Sequence, residues 1–207
     1  MTMKTAEMIQ IMPHLSIMVN KNQINILCEL LENVITTGIE GNIVELGCNC
    51  GTTSVYLQAL LEDTGRKLYL YDSFEGLPEK RNEDESPKGQ DFVKGHCKTA
   101  QEYLEKHLKN LCKTHPIVLK SWFKDIPDDK LPKKIAFAFF DGDFYDSIID
   151  SFEKVYDRMS VGGFICIHDY EYPPLPGVKK ACDDFLKGKP EEGTIVMVDC
   201  IGIMRKL

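Results

Sequence analysis

The chain has 207 residues, which suits one domain with a core large enough to need neither disulfides nor a structural metal. Its net charge of -7 argues against nucleic-acid backbones as the main partner, and no apolar run reaches membrane-spanning length, so no membrane is expected. Eight dispersed cysteines without a CxxC pair give no zinc spacing; with no secretory leader pattern at the start, reduced thiols in the cytoplasm are expected.

Apolar positions at Ile9, Met12, Leu15 and Met18, then Ile24, Leu27, Leu30, Leu31 and Val34, recur at helical spacing, with Pro13 as an interruption. Residues 1–42 are read as a helical extension of one or two helices ending near Gly38. They pack on the main domain, residues 43–207, or on the partner subunit of a homodimer. From residue 43 short β-rich runs alternate with helical stretches. Strands are expected at 43–46, 67–71, 117–119, 135–140 and 164–167. Helices are expected at 52–61, with Thr52 or Thr53 as N-cap, and at 99–111, 145–159 and 178–186, the third closed by Gly162-Gly163. Residues 74–98 are rich in charge, glycine and proline and read as a long loop, a candidate lid.

Residues 194–198 and 201–204 are two strands with only Asp199-Cys200 between them, which forces an antiparallel hairpin. The expected fold is therefore α/β: a doubly wound, mostly parallel seven-stranded sheet, Rossmann-like, with a C-terminal antiparallel hairpin. Such sheets bind ligands at the carboxyl ends of their strands.

The loop after the first strand reads Glu45-Leu46-Gly47-Cys48-Asn49-Cys50-Gly51-Thr52. Its glycines are spaced GxxxG, unlike the GxGxxG of a dinucleotide site, and let a ligand approach a helix N-terminus closely. Glu45 is unwelcome beside a pyrophosphate but suits a ligand carrying an ammonium and a sulfonium. After the second strand, Asp72-Ser73 offers a carboxylate for two ribose hydroxyls, a role shared by nicotinamide and S-adenosylmethionine sites. After the third, Trp122 and Phe123 either wall an adenine ring or pack in the core, and Asp125 is placed to accept from the adenine amino group. After the fourth and fifth strands come Asp141-Gly142-Asp143 and His168-Asp169. Neighbouring strands would bring these side chains together, and carboxylates with an imidazole suit a divalent cation.

Taken together, Val44 to Gly51, Asp72-Ser73-Phe74-Glu75-Gly76-Leu77-Pro78, Trp122 to Asp125, Asp141-Gly142-Asp143-Phe144-Tyr145-Asp146-Ser147 and Gly162 to Tyr170 resemble class I methyltransferases. More narrowly they resemble the macrocin O-methyltransferase family, whose members methylate sugar hydroxyls on antibiotics. The resemblance implies S-adenosylmethionine as cofactor, held by Glu45, Gly47, Gly51, Thr52, Asp72, Ser73, Trp122, Phe123, Asp125 and Asp141. It implies a small-molecule hydroxyl acceptor on a sugar or other metabolite. It also implies a divalent metal, Mg2+ or Mn2+, at Asp141, His168 and Asp169, with Asp143 as general base beside Asp141. His168 stands where the family has aspartate. The other readings are a nicotinamide-dependent oxidoreductase, which the GxxxG spacing and the hairpin disfavour, and a non-catalytic adenosyl-binding scaffold, which the complete carboxylate cluster disfavours.

Overall fold

The computed structural model describes residues 5–207, with side chains from residue 8 onward; the first four residues of the expected helical extension lie outside the described residues. The chain runs α1 (Thr5–Ile11), α2 (Lys21–Thr36), β1 (Asn42–Leu46), α3 (Ser54–Leu61), β2 (Leu68–Asp72), α4 (Gln101–Leu111), β3 (Ile117–Lys120), β4 (Ile135–Phe140), α5 (Tyr145–Val155), β5 (Met159–Ile167), α6 (Pro176–Leu186), β6 (Val196–Val198) and β7 (Ile201–Arg205). The sheet order is β3-β2-β1-β4-β5-β7-β6. Strands β1 to β5 pair in parallel, β7 runs antiparallel to β5, and β6 folds back on β7 as the expected hairpin.

All six residues of β4 are buried because both faces of the central sheet are covered. The two-residue strand period sorts them. Phe137 and Phe139 join the core under α2, α3 and α4, whereas Ala138 and Phe140 join the core under α5 and α6. Ile24, Leu27, Cys28, Leu31 and Val34 of α2 enter the same core as Ile43 of β1, so no break in packing marks residue 42. Asn20 caps α2 by accepting from the amides of Asn22 and Gln23, and the Gln23 side chain returns the bond to the Asn20 amide.

Three local expectations are corrected. α3 begins at Ser54 with Thr53 at its N-cap position as expected, but the Thr53 side chain makes no capping bond, because its hydroxyl is drawn to Glu45 instead. α5 ends at Val155, and Gly162-Gly163 lie inside β5 rather than after a helix. The cause is tertiary: Met159 already pairs with Ile135, and a register shift before the Phe137–Phe164 pair takes up the extra residues. β6 is shorter than expected, at three residues.

Connections leave β1 toward β2 and β3 on one side, and β4 continues on the other. The strand order therefore reverses between β1 and β4, and a crevice opens there at the carboxyl ends. No helix among the described residues is long and apolar enough to cross a membrane.

Candidate active site

A cleft of about 850 Å3 occupies this crevice, within the size range of small-molecule sites. Of the residues expected to bind cofactor, Gly47, Asp72, Ser73, Trp122, Phe123 and Asp141 line it, together with Asp143, His168 and Asp169. Glu45, Gly51, Thr52 and Asp125 do not.

Gly47 marks the tightest point of the floor. A Cβ there would stand 2.0 Å from the carbonyl oxygen of Asp141, so the β1 and β4 ends meet only because residue 47 has no side chain. Asp72 ends β2 and organises the adjoining loop. Its Oδ2 accepts from the Asn49 amide at 2.8 Å and its Oδ1 from the Phe74 amide at 2.7 Å. A carboxylate has about four acceptor positions, so each oxygen keeps one for a ligand. Burial raises the Asp72 carboxyl above its ordinary range, and the two amides oppose that rise.

Glu45 sits behind the glycine turn, fully buried. Both its oxygens are taken from the protein side: Thr53 Oγ1 donates to Oε1, and Ser54 Oγ donates to Oε2 at 2.7 Å. Burial pushes its carboxyl up to about 7, against those two bonds. Asp125 is exposed in a single turn after β3 and points its backbone, through the Trp122 carbonyl, into local structure.

The fourth and fifth strand ends bring the expected cluster together. His168 is 6% exposed, and its Nδ1 lies 2.9 Å from Asp141 Oδ1 and 3.2 Å from Asp169 Oδ2. Burial works against a charged ring, but Asp141 and Asp169 outweigh it and raise His168 well above the usual histidine range. His168 Nε2 is buried without a protein partner. Asp143 is raised well above the usual carboxylate range by burial, Asp141 and Asp169.

The backbone at the cleft is unusual. Asn49, Cys97, Asp143, Asp169, Asp199 and Cys200 all line it with φ between 44° and 61°. Residues other than glycine hold that conformation only where surroundings determine it, and such residues cluster at functional sites. Cys97 from the 74–98 segment, Asp199 and Cys200 from the hairpin turn, and Ile17, Met18, Asn20 and Gln23 from the start of the chain were not anticipated. Only the tolerance of Asp for positive φ hinted at one of them, Asp199.

The match to the family described as Macrocin-O-methyltransferase (TylF) runs over residues 7–206. The chain belongs to that family. A curated relative, the 8-demethyl-8-(2,3-dimethoxy-alpha-L-rhamnosyl)-tetracenomycin-C 4'-O-methyltransferase of Streptomyces olivaceus, is 31% identical over 161 residues, 74% of this chain. The chain spans 62% of that relative's length. The mycinamicin III 3''-O-methyltransferase of Micromonospora griseorubida is 24% identical over 90% of this chain and 76% of its own. Among solved structures, the O-methyltransferase NovP superposes with a TM-score of 0.77 at 22% identity, covering 90% of this chain and 80% of that one. The calicheamicin methyltransferase CalS11 gives 0.71 at 16%, covering 97% and 89%. At these identities the superpositions establish the shared fold.

Proposed function

We propose that this chain transfers the methyl group of S-adenosylmethionine to a hydroxyl of a sugar or similar small metabolite. The observation that carries the reading is the meeting, in one cleft at the switch point, of Asp72 with the Asp141, Asp143, His168 and Asp169 cluster. The family match and the rhamnosyl-tetracenomycin and mycinamicin acceptors named for its relatives support a sugar hydroxyl.

S-adenosylmethionine supplies a methyl group on a cationic sulfur. Asp72 accepts from the ribose hydroxyls, and the Gly47 turn lets the ligand lie against backbone. Trp122 and Phe123 wall the adenine. Glu45 acts from behind the turn as a buried negative charge rather than as a direct contact. Asp143 accepts the proton of the attacking hydroxyl.

Asp141, His168 and Asp169 would hold a divalent cation. Their donor atoms lie within 4.8 Å of one another, a spread that one ion with bonds of about 2.0–2.4 Å can bridge. A cation there would supply charge that favours the ionised hydroxyl.

Calorimetric titration of S-adenosylhomocysteine, with Mg2+, with Mn2+ and with chelator, tests the cofactor and the metal separately. Turnover is then sought with labelled S-adenosylmethionine and a panel of aryl rhamnosides. Asp143→Asn should keep S-adenosylhomocysteine binding and lose about 10²-fold or more in turnover. Absence of S-adenosylhomocysteine binding in every condition would overturn the reading.

A further inference from the structure

The 74–98 segment covers one side of the cleft, contributing Leu77, Arg81, Phe92 and Cys97 to its lining. One buried carboxylate ties it down. Asp84 lies in a single 3-10 turn (Asn82–Asp84) and is 1% exposed. Its Oδ1 accepts from the amide of Tyr145 at 2.7 Å, and its Oδ2 accepts from the amide of Arg81 at 3.0 Å. Tyr145 is the first residue of α5, so Asp84 supplies from a distant segment the cap that Phe144 cannot.

The slot for this carboxylate is built on the other side by α6. Gly177 lies in its first turn, and a Cβ there would stand 1.8 Å from Asp84 Oδ1. Nearby, Ser86 Oγ donates to the Pro173 carbonyl at 2.8 Å, and Gly89 passes against the Pro174 carbonyl. The cover is thus bolted to the two segments that follow β4 and β5, the same segments that begin with Asp141–Asp143 and His168–Asp169. Asp143 needs outside support, because its φ of 60° is a conformation that a residue with a side chain holds only when its neighbours enforce it. On its carboxyl side the Phe144 amide closes on Gly142 O at 2.6 Å, and the Tyr145 amide is held by Asp84.

We propose that Asp84 is a positioning residue: it locks the 74–98 cover onto the start of α5 and α6 and thereby holds Asp143 in place. Its importance for turnover rests on the reading of Asp143 as the base; the lock itself does not.

Amide hydrogen exchange of the full chain, saturated with S-adenosylhomocysteine, tests the lock. Asp84→Ala removes both acceptors, and Gly177→Ala fills the slot from the opposite side. Loss of a bond to a charged acceptor should speed exchange at Tyr145 and across 77–96 by about tenfold or more in both variants. S-adenosylhomocysteine affinity should stay within about threefold of the parent, since Asp84 bonds to the amides of Arg81 and Tyr145 and to neither Asp72 nor Gly47. Lys94→Ala, which removes an exposed ion pair with Glu79 on the same cover, should leave exchange at Tyr145 unchanged. If an alanine variant does not fold, Asp84→Asn, which keeps one acceptor oxygen, should show a smaller increase at the same amides. Where an aryl rhamnoside is turned over, Asp84→Asn should lower kcat with the S-adenosylmethionine KM unchanged. Unaltered exchange at Tyr145 in the folded variants would overturn the proposal, whatever the acceptor proves to be.

Discussion

Asp199 Oδ2 accepts a hydrogen bond from Asn22 Nδ2 at 2.9 Å, and the same oxygen accepts from Asn20 Nδ2 at 3.2 Å. Gln23 Nε2 completes the knot by donating to the Asp199 carbonyl at 2.8 Å, across 176 residues of chain. The turn of the terminal hairpin is thus anchored to the first turn of α2. Asp199 and Cys200 both have positive φ, as a two-residue hairpin turn requires. The Tyr170 amide donates to the Cys200 carbonyl, which places this knot beside His168 and Asp169 as a wall of the cleft.

Asp199→Ala should therefore lower stability by about 1–2 kcal/mol, through two lost side-chain bonds and a side chain forced to keep positive φ. Asp199→Gly removes the bonds but relieves the backbone, so its loss should be smaller. Urea unfolding of the three proteins measures both. Equal stability of all three would show that the knot contributes nothing.

Glu45 predicts a pH dependence of cofactor binding. Burial raises it to about 7, so between pH 6 and 8 it passes from neutral to charged. The ionised form attracts a ligand bearing an ammonium and a sulfonium, so S-adenosylmethionine affinity should rise across that interval. Glu45→Gln should weaken binding at pH 8 and flatten the rise while leaving Thr53 and Ser54 one acceptor. Calorimetry at pH 6, 7 and 8 decides; a parent profile as flat as that of the variant would remove Glu45 from cofactor binding.

His168 predicts the metal preference. An imidazole with two carboxylates suits Mn2+ or Zn2+ better than Mg2+, and an all-carboxylate set suits Mg2+. The parent should bind Mn2+ at least about tenfold tighter than Mg2+, and His168→Asp should narrow that ratio. Paramagnetic titration of Mn2+, with Mg2+ as competitor, reads the ratio directly. An unchanged ratio in the variant would mean that His168 does not touch the ion.

Glu191 predicts sensitivity to acid. It is fully buried; burial raises its carboxyl, but Lys206, Tyr156 and the Leu207 amide more than offset this and hold it at about 2. A carboxyl depressed from its ordinary value of 4.5 contributes stability that is complete above that value and is lost as pH falls toward 2. The contribution is at most about 3 kcal/mol. Thermal unfolding of Glu191→Gln should show a lower Tm at pH 7 and a shallower decline between pH 5 and 3. Parallel curves for the two proteins would rule this out.

Much of the fold was legible because it depends on local periodicity. The run Ile135–Phe140 read as a strand, and the two residues between β6 and β7 left no room for a parallel crossover. That the carboxylates Asp72, Asp141, Asp143 and Asp169 line the cleft was legible for a related reason, since the carboxyl ends of the strands in such a sheet border the crevice.

Glu45 was legible as an important charge but not as a buried one, since its partners Thr53 and Ser54 lie across the turn. Asp84 carried no signal at all. Its neighbours at Tyr145 and Gly177 are 61 and 93 positions away, and no local pattern encodes a slot shared by two helix ends. The amino-acid order by itself determined which stretches become strands and helices and which carboxylates stand at strand ends, because those follow from spacing along one chain segment. Only the tertiary structure decided that Asp199 meets α2, that Asp84 caps α5, and that Asp143 and Asp169 hold positive φ, because each depends on contacts between segments whose separation the order of residues does not express.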